Sequence, residues 1–181
     1  MRMILMATSV AALALAGCET EVDNAQTEET VEVSEDKTIG DDLSDDKKFS
    51  EAVEAAGLDT VLSGPSQYTV LIPSDTAFEK LPAGSWESLT SEEGKADLTA
   101  ILSYHILPGT MLAEDIGKAI EAGNGSAQIV TMGGETLTAT KDGEEIVITD
   151  SSNGIARVTS ADDKRSNGVI HRIDTVLMPK K

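Results

Sequence analysis

Aromatic residues are scarce in this 181-residue chain: Phe49, Tyr68, Phe78, Trp86 and Tyr104 are all of them. The core must therefore be aliphatic, built from Val, Ile, Leu and Ala. A single cysteine, Cys18, excludes an intramolecular disulfide and any cysteine-based zinc cluster. Bases are few as well, 14 against 32 acids, which gives a formal net charge of −18 and a pI of about 4.3. A polyanion would be repelled by such a chain, so a nucleic-acid footprint is excluded. Repeats of 20–50 residues are missing too, and with them solenoid and propeller architectures. What is present is a hydrophobic fraction of 40%, enough for one packed domain.

The longest apolar run, Met3 to Gly17, follows a single positive residue, Arg2. Its fifteen residues would span about 22 Å as a helix, short of the roughly 30 Å hydrocarbon core. A weak membrane anchor or a buried helix is one reading. A cleaved export signal is the other, because small residues close the run. Leu15-Ala16-Gly17-Cys18 resembles a bacterial lipobox, in which the cysteine becomes the lipidated N-terminus. The resemblance implies a signal peptide over 1–17 and palmitate-type acylation at Cys18. Three acyl chains exceed the two-signal requirement for stable anchoring. Glu19, in place of Asp, resembles the default outer-membrane sorting signal if the host is a diderm bacterium.

Residues 18–36 read as a tether. From Glu19 to Asp36 there are eight acids and no Lys or Arg. Such a segment buries too little apolar area to offset its ordering entropy, and its like charges favour extension. A calcium-binding tract is the competing reading; a solvated spacer of about 20–25 Å explains the same residues more simply.

The folded domain is expected over 37–181. Phe49, Ala52, Val53 and Ala56 recur at helical spacing before Gly57, a C-terminal cap. Tyr68 to Ile72 reads as a strand halted by Pro73. Thr76/Glu79 and Thr90/Glu93 have capping-box spacing. The second box precedes a helix with Leu98, Ile101 and Leu102 on one face, expected to run through His105 to Leu107 and stop at Pro108-Gly109. Ile116, Ala119 and Ile120 predict a further helix closed by Gly123. Strands follow over 127–131, 135–140, 144–149 and 155–158, then a polar turn over 162–168 and a last strand over 169–177. Helices early and antiparallel strands late make the class α+β.

Three blocks then carry a resemblance. Tyr68-Thr-Val-Leu-Ile-Pro-Ser-Asp-Thr-Ala-Phe78, Tyr104-His105 before Pro108-Gly109, and Asn167-Gly-Val-Ile-His-Arg-Ile-Asp-Thr-Val-Leu-Met-Pro179 resemble, in order, the signatures of the fasciclin-like domain family. The loop over 161–165 is more charged than that family's pattern. The resemblance implies a single compact domain, an antiparallel β-wedge with helices packed around it. It also implies adhesion or matrix interaction rather than catalysis, and it marks Asp75, Phe78, Asn167, Gly168, His171 and Asp174 as motif positions with structural roles.

Tyr104 and His105 are the candidate partner-binding pair, with packing and hydrogen bonding at a helix end as the alternative. Asp75 has sufficient cause in helix capping and the helix dipole. Alternation in the last strand puts His171 among apolar neighbours, as a satisfied core histidine. His105, His171 and a carboxylate could form a two-His-one-carboxylate metal site, although nothing in their spacing supports it. No G-x-S-x-G, H-E-x-x-H, P-loop or dinucleotide fingerprint occurs, and Asp150 to Gly154 fails as a calcium loop.

The expectation is therefore a lipid-anchored lipoprotein of the cell envelope, without cofactor, metal or catalytic residues. It would be a monomer that binds an envelope or extracellular protein or polysaccharide. The alternative is a small-ligand or metal carrier, or an enzyme, using a histidine-lined pocket.

Overall fold

The computed structural model describes residues 37–180. The signal peptide expected over 1–17, the lipidation expected at Cys18 and the tether expected up to residue 36 fall outside the described residues. Among those described, no helix is long and apolar enough to cross a membrane.

A short 3-10 turn, Gly40–Asp42, leads into α1 (Lys47–Ala56), α2 (Asp59–Leu62), β1 (Tyr68–Pro73), α3 (Asp75–Glu79), α4 (Ser85–Leu89) and α5 (Lys95–His105). The chain continues through β2 (Ile106–Pro108), α6 (Ala113–Ala122), β3 (Ser126–Val130), β4 (Thr136–Asp142), β5 (Glu145–Thr149), β6 (Ile155–Arg165) and β7 (Gly168–Ile173). The strands form one mixed seven-stranded sheet in the order β2-β1-β7-β6-β5-β4-β3. Every neighbouring pair is antiparallel except β1 and β7, which run parallel from Tyr68↔Gly168 to Pro73↔Ile173. The sheet curls, and Met132 N–H donates to Ile106 O at 2.7 Å, linking its two ends.

Alternation along β1 divides the core. Val70 and Ile72 face one cluster with Phe49, Val53, Leu98, Leu102 and Ile170, where α1 packs on α5. Leu71 faces the other with Tyr104, Ile116, Ile120, Leu137, Ile148 and Ile173. Both clusters are mainly aliphatic, with Phe49 and Phe78 in the first and Tyr104 in the second. Gly57 caps α1 in the left-handed conformation, φ 73°, with its N–H on Glu54 O, as its position after Ala56 predicts.

Several local expectations need correction. The helix carrying Leu98 ends at His105, because Ile106 turns extended and pairs with Val70. Neither Thr76 nor Thr90 forms its capping box; α3 and α5 begin at Asp75 and Lys95 without a side-chain cap bond. Ala119 is exposed, so the apolar stripe of α6 is carried by Ile116 and Ile120. The polar stretch expected as a turn from 162 belongs largely to β6, which continues through bulges to Arg165. Its charges are accommodated because Asp163 accepts from Arg172 Nη1 at 3.0 Å and also pairs with Arg165. The last strand stops at Ile173. Residues 174–180 form an irregular C-terminal strap.

Candidate functional site

The last turn of α5 carries Tyr104 and His105, and both are 1% exposed. The Tyr104 hydroxyl accepts from Ser151 N–H at 2.9 Å. His105 Nδ1–H donates to Ile101 O at 2.8 Å, and Nε2 accepts from Leu177 N–H at 3.1 Å. Those partners assign the neutral Nδ1–H tautomer. Burial pushes the imidazole pKa down to about 4, against the opposing pull of Ile101 O and Asp150. The pair clamps α5 to the loop after β5 and to the C-terminal strap. Neither side chain reaches the surface.

The other motif residues also act as staples. Asn167 Oδ1 accepts from Ile39 N–H at 2.8 Å, while Nδ2 donates to Leu62 O at 2.6 Å and Gly64 O at 2.9 Å. Gly168 lets β7 approach β1, since a Cβ there would stand 1.9 Å from Tyr68 O. Asp75 Oδ1 accepts from Lys48 N–H at 3.0 Å, so its carboxylate caps the first turn of α1 rather than its own helix. Phe78 meets Trp86 edge to face at 5.2 Å. Asp174 Oδ1 accepts from Arg157 N–H at 2.8 Å. His171 is fully buried; Nδ1 accepts from Asp162 N–H at 3.1 Å and Nε2–H donates to Met111 O at 2.9 Å. Asp150 directs its carboxylate to Ser152, Gly154 and Met178 N–H, which builds the turn once considered for calcium.

These contacts shape a cleft of about 620 Å³ between α4, α5 and the strap. Its apolar lining is Leu89, Ala100, Ile101, Met178 and Pro179. Its polar lining is Ser85, Ser88, Asp97, Glu135, Ser152 and Lys180. The strap wall is held at successive residues, with Leu177 N–H on His105, Met178 N–H on Asp150 and Lys180 N–H on Ser151 Oγ at 3.0 Å.

The Fasciclin domain family model matches residues 44–179. The chain belongs to the fasciclin domain family. It is 41% identical over 129 residues to Protein sll1483 of Synechocystis sp., covering 71% of this chain and 64% of that one. It is 41% identical to transforming growth factor-beta-induced protein ig-h3 of Sus scrofa over 71% of this chain and 17% of that protein. Immunogenic protein MPB70 of Mycobacterium bovis is 33% identical over 67% and 54% of the two chains. The chain thus spans less than two thirds of these curated relatives. Among solved structures, a FAS1 domain pair from the insect cell adhesion molecule fasciclin I superposes with a TM-score of 0.69, at 18% identity, over 78% of this chain and 51% of that one. That likeness shows the fold.

The fasciclin signatures therefore converge on β1, β7 and the end of α5, but they do not assemble into a reactive centre. Each histidine has both ring nitrogens engaged by backbone groups, and neither lines the cleft. The histidine-lined pocket is corrected on that ground, because no ring nitrogen is presented to a cavity. Among the described residues no group of three His, Cys, Asp or Glu side chains could hold a metal ion. Sequence reasoning missed the cleft itself. Its lining comes from five separated segments, and Ser85, Ser88 and Ala100 belong to none of the three signature blocks.

Proposed function

We propose that this fasciclin domain is an interaction module of the bacterial cell envelope, tethered to the membrane by lipid on Cys18 and acting in adhesion rather than catalysis. The observation that carries this reading is the inward use of the family's polar motif residues. Tyr104, His105, Asn167 and His171 are all buried and bonded to backbone groups, so chemistry with a partner falls to the outer surface. Family membership supports it, through a structural relative described as a cell adhesion molecule. The partner is an envelope or extracellular protein or polysaccharide, and the eight acids of the tether hold the domain away from an anionic bilayer.

The test uses the full chain expressed in a lipoprotein-processing bacterium beside a Cys18→Ala variant. Labelled palmitate and membrane fractionation are expected to follow the native chain and to be lost in the variant. Cells displaying the chain should bind purified envelope protein or polysaccharide saturably. No label at Cys18, or binding no greater than that of cells lacking the chain, contradicts the corresponding half of the proposal.

A further inference from the structure

We infer that the C-terminal strap beyond Asp174 is a proton-operated latch, which hinges at that residue, stays shut while His105 Nε2 accepts from Leu177, and in acid opens the cleft that it walls. The hinge is visible in the bonding. Asp174 N–H donates to Arg157 O at 3.1 Å, its Oδ1 accepts from Arg157 N–H at 2.8 Å, and its carbonyl accepts from Lys80 Nζ at 2.7 Å. Beyond Asp174, among the described residues, the strap makes no backbone-to-backbone hydrogen bond. Side-chain acceptors hold it instead. His105 Nε2 takes Leu177 N–H at 3.1 Å, Asp150 Oδ2 takes Met178 N–H at 2.9 Å, and Ser151 Oγ takes Lys180 N–H at 3.0 Å. The first of these acceptors is lost outright on protonation, because an imidazolium has only donors.

The direction of movement follows from what can yield. Nδ1–H is already engaged by Ile101 O, so an added proton goes to Nε2 and points at Leu177 N–H, donor against donor. Helix α5 is fixed, since Leu98, Leu102, Tyr104 and His105 are buried in the core. The strap can leave by exposing Val176 and Leu177, and that apolar loss keeps it shut at neutral pH. Water then reaches the imidazolium from the side that Leu177 vacates. Facing the ring are Ile101 O of α5, Leu177 N–H of the strap and the Asp150 carboxylate of the loop after β5, whose charge opposes the effect of burial without outweighing it. Tyr104, Glu135 and Lys180 bond to Ser151 rather than to the ring. A closed ring held near 4 and an exposed ring at the ordinary 6.5 make acid favour opening by about tenfold per pH unit between those values, roughly 300-fold in all. Opening takes Met178, Pro179 and Lys180 out of the cleft lining. Such local release is a smaller event than unfolding the sheet.

The test is amide hydrogen exchange, read residue by residue by NMR on the full chain in detergent from pH 7 to 4 and corrected for the intrinsic rate at each pH. The Leu177 and Met178 amides are expected to open more readily than those of Val70 and Ile170 in the β1–β7 pair. Their opening constant should rise about tenfold per pH unit below 6.5 and level off near 4. His105→Gln keeps an acceptor for Leu177 but takes up no proton, so its strap amides should lose that rise. Asp150→Asn, which also keeps an acceptor, should retain it and so assign the proton to the ring. Equal opening of strap and β1–β7 amides at every pH would mean that the strap leaves only with the whole fold, and overturns the latch. A rise that persists in His105→Gln, or that vanishes in Asp150→Asn, overturns it too. Should His105→Gln not fold by circular dichroism, the native chain decides alone: exchange at Leu177 that fails to steepen below pH 6.5 rejects the proposal.

Discussion

Two regions of the domain are held together in different ways. Around β1 and β7, buried polar side chains join segments far apart in sequence: Asn167 bonds to Ile39 and Leu62, Asp75 to Lys48, His105 to Leu177. The meander of β3, β4 and β5 is instead built from neighbours, paired in register from Ser126↔Thr140 to Thr138↔Thr149, with Gly134 and Gly143 in left-handed turns between strands. The first region fails when one staple is removed, because a buried donor or acceptor is left without a partner. The second tolerates change on its outer face, where side chains remain solvated. Family signatures concentrate in the first region because its constraints need particular residues rather than a hydrophobic pattern.

Substitutions grade this contrast. Gly168→Ala should have the largest effect, at least about 4 kcal/mol, because the new Cβ meets backbone at Tyr68 that cannot move without breaking the β1–β7 register. Chemical denaturation should show little or no cooperative transition. Asn167→Ala removes three side-chain hydrogen bonds at a residue 4% exposed, and is expected to cost about 3–5 kcal/mol in the same assay. Asp75→Ala uncaps α1 and should cost about 1–2 kcal/mol, with exchange protection lost first at the Lys48 amide. Val130→Thr in the meander, at 57% exposure, should leave stability within about 0.5 kcal/mol. A meander substitution as costly as Asn167→Ala would erase the distinction.

Much of the fold was legible in the sequence. Gly57 after a helical stripe, the strand ending at Pro73, and the alternating runs about Gly133-Gly134 and Asp142-Gly143 each express a local rule that the structure obeys. The three signature blocks read the family directly. The misses arise where tertiary contacts decide. Thr76 turns to Ser74 Oγ at 2.9 Å instead of closing a box. Asp162, Asp163 and Arg165 look like turn residues, yet Arg172 and a positive φ at Asp162 hold them in a bulged strand. The cleft was illegible because no periodicity links Ser85, Ala100 and Met178 across the chain. Tyr104 and His105 were visible as residues; their direction, into the core and onto the strap, was not.

His105 is an internal clamp between α5 and the C-terminal strap. In the fold its pKa is held near 4, below the ordinary 6.5, so the folded state binds fewer protons than the unfolded chain between those values. This contribution to stability is complete above about pH 6.5 and is lost as pH falls toward 4, amounting to about 3 kcal/mol over the window. The most direct measurement is a long-range nitrogen–proton correlation spectrum of the two imidazoles in the full chain, recorded from pH 7.5 to 5. The predicted result for His105 is a protonated Nδ1 and an unprotonated Nε2, unchanged across the range, with a protected Leu177 amide. A His105 ring that titrates near pH 6.5, or that carries its proton on Nε2, would contradict the clamp.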